Sequence, residues 1–471
     1  MITGSDRIGE DPKGGGNTAW PMAVLTSLFF MWGFITVLND VLVPHWKKLF
    51  DLSYFQSLLV QLCFFSAYFF GSVVYYLISV SSGDPIARMG YKRGMIIGLI
   101  LSATGCALFA PASLMHSYPF HLFALFVLGL GFTLLQISAN PFVAIIGSAE
   151  GASSRLNTAQ AFNSLGTTLA PLIGGWLIFK NAAPDAAVRL PYVSLAVILS
   201  LIAVLMWFTK LPEPRHQEKV SKSNALGYPQ LRFGMVAIFC YVGAEVAIGS
   251  LIINFLGMSD ILHLPEGSAK HYLSLYWGGA MTGRFLGALA LSKTMSTTQR
   301  YGGMLLIGAM MFGLLYSLNS SEHFMFDHIW PLAVLITANI ATFVLAGPNP
   351  SRALGLFASV ASGLLLGAIF LHGAWAMWAV IAIGLFNSIM WSNIFTLAIT
   401  GLGKDTAQGS SLLVMMIVGG ALIPPLQGFL IDIMKGSGLQ ELGFHLSFFL
   451  PFGCYAYLVW YGFRGAVRTT A

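Results

Sequence analysis

The chain has 471 residues, of which 56% are hydrophobic and only 9% charged, with a mean hydropathy of +0.76. Soluble domains carry about 25% charged residues, so a water-soluble globule is excluded. The net charge of +6 does not signal nucleic acid, because no basic, aromatic-interleaved face accompanies it.

Residues 1–19 are polar, contain Gly14-Gly15-Gly16 and lack an apolar signal-peptide core, which predicts a disordered tail. About fourteen apolar runs follow. The predicted spans are 21–44, 56–80, 92–113, 119–146, 157–180, 191–211, 232–258, 268–293, 300–319, 328–346, 354–371, 374–400, 409–434 and 442–463. These runs approach or exceed the ~20 residues a helix needs to cross ~30 Å of hydrocarbon. Runs of that length are helices rather than barrel strands. The expected fold class is therefore an all-α polytopic membrane protein with about 14 transmembrane helices. Fifty-one glycines suit close helix packing. Cys63, Cys106, Cys240 and Cys454 all fall in apolar runs without metal-type spacing, and read as small core residues.

With the N-terminus inside, seventeen basic residues fall on that side, Arg88 and Lys404 among them. Six fall on the other (Lys47, Lys48, Lys180, Arg189, Lys270 and Lys435), and Arg284 remains within a span. This positive-inside bias places both termini in the cytoplasm. The stretch from Lys210 to Arg232 is the one long polar linker, with Pro212, Pro214 and a charge cluster. The expected domains are a tail (1–19), an N-terminal six-helix bundle (20–211), a cytoplasmic linker (212–231) and a C-terminal bundle (232–466).

The two bundles echo each other. "SANPF" around Asn140 resembles "SNIF" around Asn393 at an offset of 253, and "APLIGG" from Ala170 resembles "PPLQG" from Pro424 at 254. "MWGF" at Met31 compares with "YVGA" at Tyr241 at an offset of only 210. An extra two-helix hairpin near 300–346 accounts for the growth. Parallel six-helix repeats are the architecture of a large transporter class with its substrate site near mid-membrane.

Ionisable groups inside spans are costly and are functional candidates. Asp40 lies late in the first span, where it either serves function or reaches the outer headgroups. Glu245 has apolar or small residues on both sides for about ten positions, which marks it for function. Arg284, in "GGAMTGRFLGALALSK", reads first as a lock between helices. Gln136 and Asn140 share one helix face, as do Gln160 and Asn163; Asn387 and Asn393 lie in the twelfth span. Such amides suit a ligand rich in hydroxyls or simply bond neighbouring helices. Trp32, Tyr276 and Trp277 offer rings to a sugar face. The ten histidines are scattered, with no H-E-x-x-H motif or paired carboxylates, so no enzyme, metal or cofactor is expected. No G-x-x-x-x-G-K-[ST] loop is present, which argues against direct ATP driving.

The segments "FFMWGFITVLNDVLVPHWKKLF", "LLQISANPFVAIIG", "SRLNTAQAFNSLGTTLAPLIGG", "YVGAEVAIGSLIINFL", "YWGGAMTGRFLG", "AIGLFNSIM" and "LVMMIVGGALIPPLQG" resemble the fucose–galactose–glucose:cation symporter family of the major facilitator superfamily. The bacterial glucose/galactose branch is the nearer resemblance and fucose permease the more distant one. The resemblance covers residues 26–294 and 354–463. It implies the major facilitator fold and a monomeric carrier in a bacterial inner membrane that imports a neutral monosaccharide by proton or sodium symport through alternating access. Its partners would be a small sugar and lipid, with no nucleic acid.

By that resemblance Asp40 matches an aspartate implicated in proton coupling, and Gln160 and Asn163 match a polar pair lining the sugar cavity. Asp40 and Glu245 are the expected cation-coupling residues. Gln136, Asn140, Gln160, Asn163, Asn387, Tyr276 and Trp277 are the expected substrate-binding residues. Arg88, in the degenerate gating loop "SSGDPIARMGYKRG", and Arg284 are expected to be structural or gating. Fucose permease has glutamate in place of Gln136 and glutamine in place of Glu245, so the carboxylate has moved between the repeats. "MWSNIF" replaces a proline-containing segment of the relatives, which puts Trp391, Ser392 and Asn393 near an altered pocket. An acetamido sugar such as N-acetylglucosamine, fucose, or a non-transporting sugar sensor are the alternatives.

Overall fold

In hydrocarbon every backbone N–H and C=O must be satisfied within its own segment, so the long apolar runs become long helices. The computed structural model describes residues 19–51, 54–146, 151–179, 184–211, 224–292, 294–320, 324–436 and 438–466. The expected tail, up to residue 18, and most of the linker, 212–223, lie outside the described residues.

In chain order the helices are α1 (Ala19–Leu49), α2 (Tyr54–Ser82), α3 (Pro85–Met89), α4 (Tyr91–Ala107), α5 (Phe109–Leu114), α6 (Tyr118–Ile145), α7 (Ala152–Phe179) and α8 (Pro184–Phe208). They continue with α9 (Pro229–Leu256), α10 (Glu266–Ala290), α11 (Thr297–Asn319), α12 (Phe326–Ala346) and α13 (Pro350–Phe370). The last are α14 (Gly373–Asn387), α15 (Met390–Ile399), α16 (Thr406–Met415), α17 (Gly419–Gly436), α18 (Gln440–Ser447) and α19 (Phe449–Trp460). No strand occurs among the described residues.

Twelve stretches of the described residues are long and apolar enough to span a membrane. α10 falls outside that set although it has 25 residues. Polar groups dilute it, His271 and Arg284 among them. With α7 and α10 included, the order of spans follows the expected fourteen, the hairpin being α11 and α12. Several predicted single spans are broken, at Leu108, at Ser388–Ile389, at Met416–Val418 and at Phe448.

Two compact units are present: residues 1–152, 165–231 and 399–415 form the first, and 153–164, 232–398 and 416–471 the second. In the first, glycines bring α4 and α6 together. A Cβ on Gly105 would collide with the Leu128 backbone, and one on Gly131 with Ser102. In the second, Gly279, Gly283 and Gly287 recur every four residues, so they line one face of α10. Side chains there would run into Leu385, Ser388 and Ile389, and one on Gly384 into the Tyr276 carbonyl. Small residues at these crossings replace hydrophobic drive with close backbone approach. Leu315 of the hairpin lies against Gly278, and Asn339 Nδ2 donates to the Leu385 carbonyl at 3.3 Å.

Candidate functional site

The second unit holds a buried acid–base pair. Glu245 of α9 and Arg284 of α10 are 9% and 8% exposed, and Arg284 Nη2 lies 3.7 Å from Glu245 Oε1. Tyr241, one turn before Glu245, donates to the same oxygen at 2.6 Å. Arg284 does more than neutralise the carboxylate. Its Nε donates to the Ser388 carbonyl at 3.1 Å, in the gap between α14 and α15, and its Nη1 bonds Ser164 Oγ. A helix broken in hydrocarbon needs other donors for its freed carbonyls, and here the guanidinium supplies one and Asn339 another.

A tyrosine–amide chain leads into the same group. Tyr455 of α19 donates to Asn387 Oδ1; Asn387 Nδ2 donates to Tyr276 Oη at 3.1 Å; Tyr276 Oη donates to the Glu245 carbonyl at 3.2 Å. Asn387 and Tyr276 are thereby committed to protein partners. Trp277 is half-buried, edge-on to Tyr276 with ring centroids 5.1 Å apart. Gln160 and Asn163 are buried in the same unit, and Gln160 Nε2 has no hydrogen-bond partner. Asn157 Nδ2 donates to Asn393 Oδ1 at 3.4 Å, and Trp391 Nε1 and Ser392 Oγ are buried without partners.

In the first unit, Trp32 Nε1 donates to Tyr68 Oη at 3.2 Å, and Tyr68 is also bonded to the Gln136 amide. Gln136 Oε1 and both polar atoms of Asn140 are buried with no partner in the protein. Native interiors satisfy most buried polar groups, so these unpaired amides stand out in the first unit. Asp40 lies on α1, but its side chain is outside the described residues.

Arg88 is exposed on the last turn of α3. The stronger feature of its loop is Asp84, which sequence reasoning left unnamed. Asp84 Oδ1 accepts from the Ile86 and Ala87 N–H groups at 2.8 and 3.3 Å and from the Tyr75 hydroxyl. Burial pushes its carboxyl above the ordinary value, against the pull of those bonds and of the Gln408 N–H. Tyr241 and Tyr455 were also missed. Tyr241 had a readable signal, four residues before Glu245; Tyr455 had none.

The Major Facilitator Superfamily profile matches residues 22–352. The glucose/galactose transporter of Brucella abortus biovar 1 (strain 9-941) is 41% identical over 461 residues, covering 96% of this chain and 95% of that protein. The L-fucose-proton symporter of Escherichia coli (strain K12) is 30% identical, covering 95% and 94%. A crystal structure of the E. coli fucose:proton symporter superposes with a TM-score of 0.68 at 28% identity, covering 93% of this chain and 98% of that one.

Proposed function

Because the chain belongs to the major facilitator superfamily, we propose that it is a secondary active symporter importing a neutral hexose of the glucose/galactose kind with a proton. The observation that carries this reading is the presence of buried, unpartnered amide atoms within each unit, on Gln136 and Asn140 in the first and on Gln160 in the second. Such groups suit a neutral molecule whose hydroxyls both donate and accept, and Asn163 and the ring of Trp277 are the other sugar contacts proposed in the second unit. Asn387 and Tyr276 act one step back, holding the Glu245 segment in place.

Glu245 is the proposed proton site of the second unit, and Asp40 that of the first. While Glu245 is ionised, Arg284 holds it. Protonation weakens that hold and frees the guanidinium, whose other bonds anchor the α14–α15 break. Loading a proton is thus transmitted to the helix that carries Asn387. The relatives named for proton symport favour a proton over sodium. The unpartnered Trp391 Nε1 and Ser392 Oγ favour an acetamido sugar as the second reading. A bacterial inner membrane with both termini in the cytoplasm is part of the proposal.

Uptake of labelled glucose, galactose, fucose and N-acetylglucosamine into proteoliposomes tests it, under an imposed proton or sodium gradient. Saturable glucose or galactose uptake that rises with the proton gradient alone is expected. No gradient-stimulated uptake from demonstrably folded protein would overturn the reading, and exchange without accumulation would point to an uncoupled carrier.

A further inference from the structure

Outside the transport chemistry, the fold gathers two histidines and a carboxylate at one end of the second unit. Asp260 lies in the connection between α9 and α10, His372 precedes α14, and His445 lies in α18. Two ring nitrogens converge on one oxygen: Asp260 Oδ2 is 3.1 Å from His372 Nδ1 and 2.8 Å from His445 Nε2. His445 is buried, while the His372 side chain is 67% exposed, so solvent ions reach the cluster.

The tautomer of His445 narrows what the cluster holds. Its Nδ1 lies 2.7 Å from the Ala368 carbonyl, which can only accept, so Nδ1 carries a hydrogen. In a neutral ring Nε2 is then a bare lone pair, and it faces a carboxylate oxygen. A shared hydrogen or a metal cation has to lie there. Asp260 Oδ1 is also buried without a hydrogen-bond partner, leaving the carboxylate's second oxygen uncompensated. A proton on His445 serves one contact; a metal cation serves both imidazoles and the carboxylate together.

Zinc binds histidine nitrogen and carboxylate oxygen at about 2.0–2.2 Å, so tetrahedral ligand atoms stand roughly 3.4 Å apart. The ligand atoms here all lie within 4.8 Å of one another, and small side-chain rotations bring them to that spacing. The bond from His445 Nδ1 to a backbone carbonyl is the outer support that metal-ligating histidines usually have. The backbone around the cluster is fixed as well: Gly373 N donates to the Asp260 carbonyl at 3.1 Å, and Ser259 Oγ bonds Glu441. We propose that Asp260, His372 and His445 bind a divalent cation of the zinc class, with water in the fourth position, fastening the α9–α10 connection to α14 and α18.

Tag-free, full-length protein in detergent, stripped with chelator, would be titrated with Zn²⁺ by calorimetry and followed by thermal unfolding. Co²⁺ would be added in parallel and read by visible absorption. One zinc per chain, a raised Tm and the intense bands of four-coordinate cobalt are expected. His372→Ala removes an exposed side chain, so it should unfold like the parent without metal yet bind zinc at least about tenfold more weakly. Asp260→Asn provides the second variant. No saturable zinc binding, or binding unchanged in both variants, overturns the site and leaves an imidazolium–carboxylate pair in its place.

Discussion

At the scale of single residues, the pair formed by Glu245 and Arg284 carries the largest consequences. Both are buried, so removing one leaves the other's charge uncompensated, at a cost of about 3–5 kcal/mol. Arg284→Met is expected to lower stability by that order. Adding Glu245→Gln should recover part of the loss, because no orphan charge remains; thermal unfolding of both variants in detergent reads this out. A double variant no more stable than Arg284→Met alone would mean the two charges are not coupled. Asp84 gives a pH signature of opposite origin. Burial raises its carboxyl above the ordinary value, so the folded state binds the proton more tightly than the unfolded chain does. Its contribution to stability is therefore complete below the ordinary carboxylate range and is lost as pH rises toward the raised value. Asn caps as well as Asp, so Asp84→Asn should retain the bonds to Ile86 and Ala87 while flattening Tm against pH across that window. An unchanged pH profile would reject Asp84 as the source. Glu245 and Arg284 were legible in the sequence because a charge in an apolar run stands out. Asp84 was not, because a loop aspartate before proline is ordinary until its burial is known.

At the scale of elements, the closeness of α10 and α14 decides how the site is held. Gly384 lies against the Tyr276 carbonyl, and backbone cannot yield as a side chain can. Gly384→Ala should cost about 1–3 kcal/mol by overpacking and also impair transport, since Tyr276 is the link from Asn387 to the Glu245 backbone. Gly313→Ala in α11 is the matched control. Nothing lies within 4 Å of its would-be Cβ, and alanine is the better helix former by about 1 kcal/mol. The same substitution is thus expected to lower Tm at one position and hold or raise it at the other. The hairpin of α11 and α12, legible both as two apolar runs and as an offset in the repeat, gains a role from Asn339. Its bond to the Leu385 carbonyl lies three residues from the break at Ser388. The break itself was not legible, because "AIGLFNSIMWSNIFTLAIT" reads as one apolar run; tertiary donors, not local sequence, permit it. α10, which is missing from the set of apolar spans, teaches the reverse lesson: the Arg284 that weakens its membrane signal belongs to the buried pair with Glu245.

At the scale of the whole molecule, fold class and span order followed from hydropathy because hydrocarbon admits so few backbone solutions. The cluster of Asp260, His372 and His445 was beyond sequence reasoning, since its members lie 112 and 185 residues from Asp260 and no periodicity links them. Orientation in the bilayer rests on charge alone: seventeen basic residues fall on one side and six on the other. Each basic residue that must stay in the cytoplasm opposes translocation of its loop, so the proposed cytoplasmic termini assign a side to every connection. The turn between α5 and α6, where Met115 is 66% exposed, belongs outside on this reading. The start of α11, where Thr298 is exposed, belongs inside. Met115→Cys should react with a membrane-impermeant maleimide on intact cells, and Thr298→Cys only after permeabilisation. The native cysteines supply a low background, because all four lie within the apolar spans. Labelling with the accessibilities exchanged would invert the topology proposed for this chain. Equal labelling of both positions in intact cells would mean the positive-inside bias does not govern this chain.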